Sequence, residues 1–529
     1  MNVPLTPLDF CRRAAHLYPN KVGIVDGQKR FTYRQFSQRV HRFANGLKSL
    51  GIGRGDVVSF LSYNSHQLLE AYYGVVQIQA ILNPINIRMA AAEIEYILNH
   101  AQSKALCFHS DFRPLIQALQ TKIPGTRHFV EIEPAGPLSK DYHDYEEIVS
   151  QSPADVATES LTDENLAAEL FYTSGTTGHP KGVILSHRTL YLHALNVIAS
   201  LNFTDEDNLL HVVPLFHVNG WGTPHTLTAV GGRHVMLRKI ALPDILRLIQ
   251  EEHITRIFAV PAVFIALLAY PRREAYDLSS LKRAFIGGAP SSLALITRIE
   301  EAFGCQAIVG YGLTETSPVV SSGCLKDHMQ SWDVSQRRDY QVRAGTEIIG
   351  TQIRVVNRQG EDVAPNDEEV GEIAIRSNVV MTNYYKDPEA TQKAIRDGWF
   401  YSGDLATINQ EGSLRIVDRS KDIIISGGEN ISSAEVENAL YSHPAVFECA
   451  VIGVPDEKWG EVPVAMVVCK PDTQTTEAEL IQHVRSQLAR FKCPKTIYFK
   501  EALPKGGTGK ILKRELREPF WADKEQKVN

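Results

Sequence analysis

Over the first 250 residues, short runs that are apolar throughout alternate with stretches whose apolar residues recur every three or four positions. VVSFLS (57–62), LCFHS and HVMLR belong to the first kind, RQFSQRVHRFANGLKSLG and LLEAYYGVVQIQA to the second. In the first helical stretch Phe36, Val40, Phe43 and Leu47 fall on one face, and Gly51 supplies a stop. Apolar strands separated by amphipathic helices build βαβ units, whose sheets are mostly parallel and covered on both faces. The expected fold class is therefore α/β. A chain of 529 residues exceeds what one core ordinarily carries, so two or more domains are expected.

Later segments read differently. IFAVPAVFIALLAY (Ile257 to Tyr270) is broken by Pro261 and too short to span a bilayer, so it reads as a buried strand turning into a buried helix. Residues 324–345 turn polar and read as a long surface excursion, while TQIRVVN, GEIAIRS and SLRIVD suggest a β-rich subdomain over 346–417. The pattern changes again at Asp418. The expected division is a large domain over 1–418, of parallel-sheet α/β layers plus that subdomain, and a small α+β domain over 419–529. The small domain holds helix candidates at 433–442 and 476–490 and strands at AVIGV and AMVVCK.

Composition removes several classes of function. The net charge is −6 and basic residues are scattered apart from Lys510-Ile-Leu-Lys-Arg514, so no nucleic-acid partner is expected. Seven widely spaced cysteines without a CxxC predict reduced thiols, not disulfides or a metal centre. The N-terminal stretch lacks the apolar core of a signal peptide, and the final Lys-Val-Asn is no peroxisomal address, so a cytoplasmic location is expected.

FYTSGTTGHPKGVILSH (171–187) is the segment with chemistry in it. Thr173, Ser174, Thr176 and Thr177 offer hydroxyls, Gly175, Gly178 and Gly182 allow close backbone approach, and Lys181 adds a mobile cation. Consecutive N–H groups and hydroxyls make a concave anion site, and a polyphosphate fits that inventory. A polar turn between two strands is the plainer alternative. It is not a Walker A loop, which requires glycine where Pro180 stands.

TSGTTGHPKG resembles the phosphate-loop signature of the adenylate-forming superfamily of acyl-CoA synthetases, adenylation domains and luciferases. Further motifs follow in that family's order: Gly287-Gly-Ala-Pro290, Tyr311-Gly-Leu-Thr-Glu315, Tyr401-Ser-Gly-Asp404, the run from Asp418 to Asn430, and Pro504-Lys-Gly-Gly-Thr-Gly-Lys510. The resemblance spans nearly the whole chain. It implies that Gly288, Ala289 and Pro290 wall the adenine and acyl sites, that Gly310, Tyr311 and Gly312 border adenine with Tyr311 stacking on it, that Thr314 contacts phosphate, and that Glu315 holds Mg²⁺. Asp404 and Arg419 would hold the ribose; as isolated residues they would form a surface ion pair.

The implied reaction is attack of a carboxylate on the α-phosphorus of ATP to give an acyl-adenylate, followed by thiol capture with coenzyme A (CoA). Two anions must meet, so charge neutralisation and alignment carry much of the catalysis. Lys181 would hold the β- and γ-phosphates and Lys510 would bridge carboxylate and α-phosphate. Lys421 falls at the family's hinge position, so the small domain is expected to be mobile and to rotate between half-reactions. His217 matches an aromatic position gating the acyl pocket. His217 and Asn219 stand where amino-acid-activating relatives place an Asp, which argues against amino-acid substrates, and Gly312 replaces a tryptophan of acetate-specific relatives. For CoA, Ser426, Gly427 and Gly428 resemble the pantetheine tunnel, Trp459 a tryptophan packing on pantetheine, Phe491 and Lys495 nucleotide contacts, and Arg88 a partner for the 3′-phosphate. Cys493 departs from a basic residue of some relatives. Short-to-medium-chain acids and a homodimer are expected. Loading of a carrier-protein thiol, light-emitting oxidation and non-catalytic nucleotide binding are the other readings of the same motifs.

Overall fold

The computed structural model describes residues 3–155, 161–173, 179–289, 291–471, 473–505 and 511–521, with the backbone alone at Asn430. The chain divides into two compact units, 1–352 with 375–400, and 353–374 with 401–529.

The fold is α/β. The first unit is built on two sheets. One has eight strands in the order Asn383–Tyr384, Lys181–Ser186, Ala167–Thr173, Ile81–Pro84, Val57–Leu61, Ser103–His109, His128–Ile132 and Tyr142–Asp144. Pairing from Ala167–Thr173 through to Tyr142–Asp144 is parallel, as the covered apolar runs require. The other sheet has nine strands, and its middle, from Val22–Asp26 to Gln306–Gly312, is also parallel.

The helical stripe read from sequence is the helix Tyr33–Ser49, started by a capping box between Thr32 and Gln35. Phe36, Val40, Phe43 and Leu47 are all buried, at about 1.5–3 kcal/mol of transfer free energy each. Gly51, with φ of 73°, ends the turn that follows. IFAVPAVFIALLAY splits at its proline into the strand Arg256–Ala259 and the helix Pro261–Ala269.

The polar stretch 324–345 is more ordered than its composition suggests. It contains a 3₁₀ turn, Asp327–Ser331, and a helix, Val334–Gln341, capped reciprocally by Asp333 and Gln336. Tyr340 and Met329 are buried and anchor this polar segment. Two apolar side chains and a good cap suffice where no amphipathic stripe exists.

The runs at 351–356, 371–377 and 414–419 are strands of one five-stranded sheet. In the second unit a further sheet carries the long antiparallel pair Val446–Asp456 and Gly460–Cys469, flanked by the helices Ser433–Tyr441, Glu477–Arg485 and Lys513–Trp521. Among the described residues, no helix is long and apolar enough to cross a membrane.

Candidate active site

The glycine–hydroxyl segment joins two adjacent antiparallel strands, so Thr173 at the end of Ala167–Thr173 faces Lys181 at the start of Lys181–Ser186. Ser174, Gly175, Thr176, Thr177 and Gly178 lie outside the described residues. Gly182 is required by packing, because a Cβ there would sit 2.9 Å from Leu170 and 3.0 Å from Tyr385.

On the far side of Lys181–Ser186, Asn383–Tyr384 pairs antiparallel and puts Tyr384 opposite Val183. The Lys181 ammonium stands 5.1 Å from the centre of the Tyr384 ring, a contact worth about 0.5–2 kcal/mol depending on exposure. The Tyr384 hydroxyl donates to Glu315 Oε1 at 2.9 Å. Burial, and then the Glu315 carboxylate, raise the Tyr384 pKa, so the phenol stays protonated and keeps donating. Glu315 itself rides on the 3₁₀ turn Thr314–Thr316, whose carbonyl at Glu315 accepts from Met381 N–H at 2.7 Å. Thr314 is buried. Lys181 and Glu315, far apart in sequence, thus meet at one tyrosine, and Thr173 stands across the strand pair from Lys181.

The parallel strands Arg283–Ile286 and Gln306–Gly312 end side by side, which brings Gly287, Gly288 and Ala289 next to Gly310, Tyr311 and Gly312. This is where α/β sheets place ligand loops. Gly288, with φ of 78°, and Ala289 are exposed, Tyr311 is half-buried, and Pro290 lies outside the described residues. Gly310 and Gly312 leave no room for a side chain. A Cβ at 310 would meet the Phe285 ring at 2.1 Å, and one at 312 the Pro318 carbonyl oxygen at 1.9 Å. Glycine at 312 thus meets a backbone requirement in this chain.

His217 precedes a turn in which Val218, Asn219, Gly220, Trp221 and Gly222 all have positive φ, from 35° to 81°. Non-glycine residues held so store of order 1–3 kcal/mol each and need firm support. Support comes from Glu169, buried in the strand Ala167–Thr173: one carboxylate oxygen takes the Asn219 amide at 2.9 Å and the other lies 2.7 Å from His225 Nε2. Asn219 Oδ1 accepts from Gly222 N–H at 2.7 Å, so this side chain is committed to the turn instead of facing a substrate. Trp221 packs against the stacked pair Phe258 and Phe285, with its ring 3.3 Å from where a Cβ on Gly287 would stand. His217, half-buried, is carried beside that wall.

In the second unit Asp404 and Arg419 are opposite each other in an antiparallel pair, and Arg419 Nε meets Asp404 Oδ1 at 3.2 Å. Asp404 is buried while Arg419 is about half exposed, so the pair presents its cation outward.

Residues 11–385 match the family of AMP-binding enzymes, and residues 435–510 match the AMP-binding enzyme C-terminal domain. The chain belongs to the AMP-binding enzyme family. This AMP-binding enzyme is 37% identical to a long-chain-fatty-acid–CoA ligase of Thermus thermophilus, over 98% of its own length and 96% of the relative's. It is 38% identical to a peroxisomal butyrate–CoA ligase of Arabidopsis thaliana, over 98% and 93% of the two chains. Among solved structures, an anthranilate CoA ligase in complex with anthranoyl-AMP superimposes with a TM-score of 0.89 at 27% identity, over 98% of both chains.

Five of the residues expected to serve CoA come together in the second unit of this AMP-binding enzyme. Gly427 and Gly428, with φ of 61° and 89°, form the two-residue turn between Ile424–Ser426 and Glu429–Ile431. Trp459 lies over that turn, 2.6 Å from where a Gly427 Cβ would be, and its carbonyl accepts from Gly427 N–H. The indole is 48% exposed, an uncommon state for tryptophan. Asp456 caps the Trp459 backbone and pairs with Lys495; that lysine first, then two backbone N–H groups, hold its carboxyl well below the usual range. Phe491 is exposed on the turn Arg490–Lys492, and Arg88 is exposed in the first unit, ahead of the helix Ala91–Ala101. Lys421 is exposed in the 3₁₀ turn Ser420–Asp422, which Arg517 grips through the Lys421 carbonyl at 3.1 Å and the Asp422 carboxylate at 2.9 Å. Lys510 lies outside the described residues.

Sequence reasoning missed Tyr384 and the part played by Glu169. A carboxylate in the middle of an apolar strand was the available signal for the second. For Tyr384, inside the polar run TNYYKDP, there was none.

Proposed function

We propose that this chain, an AMP-forming acyl-CoA ligase, activates a short-to-medium-chain fatty acid or a related aromatic, alicyclic or methylthio acid. The observation that carries the site assignment is the meeting of Lys181 and Glu315 at Tyr384, with Thr173 paired across the strands from Lys181. In this reading the triphosphate lies along the strand ends at 173 and 181, adenine between Gly288-Ala289-Pro290 and Tyr311, and the ribose on Asp404 and Arg419. Lys181 draws charge from the leaving pyrophosphate while Lys510 bridges the carboxylate and the α-phosphate. One carboxylate oxygen bonds to the α-phosphorus, the bond to the β-phosphate oxygen breaks, and the acyl-adenylate remains. The CoA thiolate then bonds to the acyl carbon, AMP leaves, and the thiol proton passes to solvent. His217 gates the pocket for both acid and thiol.

Mg²⁺ fits the donor set. Among the described residues, no group of three or more His, Cys, Asp or Glu could hold a metal alone. A single hard carboxylate, Glu315, sharing the ion with substrate phosphates is the usual Mg²⁺ arrangement. When bound, the ion supplies positive charge to the phosphate oxygens. Tyr384→Phe deletes the hydrogen bond that orients Glu315 but keeps the ring beneath Lys181. It is expected to raise the Mg²⁺ concentration giving half-maximal activity about tenfold, with the KM for the acid unchanged.

A half-exposed tryptophan over a glycine turn suits pantetheine, which supports CoA as acceptor. We further propose domains at 1–418 and 419–529, rotation of the small one about Lys421 after adenylation, a homodimer, and a cytoplasmic location. Carboxylate-dependent exchange of labelled pyrophosphate into ATP, without CoA, tests the reading across straight-chain acids from about C2 to C16 and cyclic acids. Stepwise falls of about 1–3 kcal/mol per methylene are expected on either side of the preferred acid. No exchange with any acid would sink the proposal.

A further inference from the structure

The helix Ala91–Ala101 presents two rings, Tyr96 and His100, toward the strands that bear the phosphate-facing residues. Tyr96 stacks on His179 at 4.4 Å between centroids and an interplanar angle of 12°, and on His100 at 5.3 Å and 18°. His100 Nδ1 lies 2.8 Å from the Tyr172 hydroxyl, and the His100 ring meets the edge of Tyr385 at 5.7 Å. Burial raises the Tyr172 pKa, and burial followed by Lys386 lowers that of His100, so the phenol donates and the neutral imidazole accepts. Lys386 closes the arrangement by donating to the His100 carbonyl at 3.1 Å.

The three side chains held by these rings are placed alike. Tyr172 precedes Thr173, His179 stands two positions before Lys181, and Tyr385 follows Tyr384. Both arms of the glycine–hydroxyl hairpin and the strand bearing Tyr384 are therefore fastened to one helix. Two of the fastening points lie one or two residues from Thr173 and Lys181, and the third adjoins Tyr384, which bonds Glu315. These fastenings run through side chains and add to the backbone pairing of the same strands. Binding groups held in place beforehand lose less entropy when a ligand arrives.

We propose that Tyr96 and His100 are positioning residues for the ATP polyphosphate: they hold the strand pair that ends at Thr173 and Lys181, together with Tyr385, in place against one helix. The inference rests on the nucleotide reading given above. It predicts a loss confined to the polyphosphate, because adenine and ribose meet other elements.

Binding of a non-hydrolysable ATP analogue and of AMP would be measured by calorimetry on the full chain, alongside thermal unfolding and the KM for the acid. Tyr96→Ala is expected to weaken the ATP analogue about tenfold, leaving AMP binding and the KM for the acid within about twofold. Tyr96→Phe, which keeps the stack, should restore analogue binding. His100→Phe keeps a ring but loses the Tyr172 bond, and should show a smaller loss of the same kind. Unchanged analogue binding in a folded Tyr96→Ala, or equal weakening of AMP, would reduce the ladder to packing and overturn the inference. Failure of the unaltered protein to bind the analogue would instead overturn the nucleotide reading, and the inference with it.

Discussion

Lys510→Ala is expected to lower acid-dependent pyrophosphate exchange by about 10²–10³-fold, while a preformed acyl-adenylate still reacts with CoA within about tenfold of the unaltered rate. The asymmetry follows from charge. Only the first half-reaction drives a carboxylate onto a phosphate ester, and only there does a cation between the two anions lower the barrier more than it stabilises the separate substrates. The second half-reaction brings a thiolate to a carbonyl carbon and has no such collision. Thr173, Lys181 and Glu315 belong to the first compact unit, and Lys510 lies outside the described residues. With the rotation about Lys421 proposed above, this cation is withdrawn once its step is over. Single-turnover assays of each half-reaction would decide the matter, and an equal fall in both, in a folded variant, would rule out the two-stage use of this lysine.

Gly312→Ala should be nearly as damaging, for a different reason. The added Cβ would lie 1.9 Å from the Pro318 carbonyl oxygen, 2.6 Å from its carbon and 3.0 Å from Val319 Cα. These are backbone atoms, so no side chain can turn aside. Strain of roughly 1–3 kcal/mol is expected, together with movement of the chain that leads into the Thr314–Thr316 turn. That turn carries Glu315, and displacing it by about 1 Å should lower pyrophosphate exchange about 10²-fold. Thermal unfolding and exchange measured on the same preparation separate loss of fold from loss of alignment. Exchange at the unaltered rate would show that the neighbouring strand Val319–Ser322 can yield.

Much of the scaffold could be read in advance because its signals are local. Phe36, Val40, Phe43 and Leu47 announce a helix by their spacing alone, and Pro261 divides a strand from a helix by its missing donor. Tyr311 to Glu315 were legible because a strand ending in glycine and polar residues is a local pattern too. The junction at Tyr384 was not, since it depends on a two-residue strand laid beside Lys181–Ser186 from 200 positions away, and nothing near Tyr384 encodes that partner. The same holds for Asn219, whose fate is set by a carboxylate fifty residues upstream. The helix Val334–Gln341 escaped notice because its anchor is a single tyrosine in a polar run.

Lys495 arrives at any encounter already matched with Asp456. An incoming phosphate there shares the ammonium with a carboxylate that already offsets its charge, so it gains less than from a bare lysine. Recruitment of a nucleotide tail at this spot would then show little sensitivity to ionic strength, and its grip would come from the flat face of the neighbouring indole. Removing the competitor, not adding a second base, would be the way to tighten it.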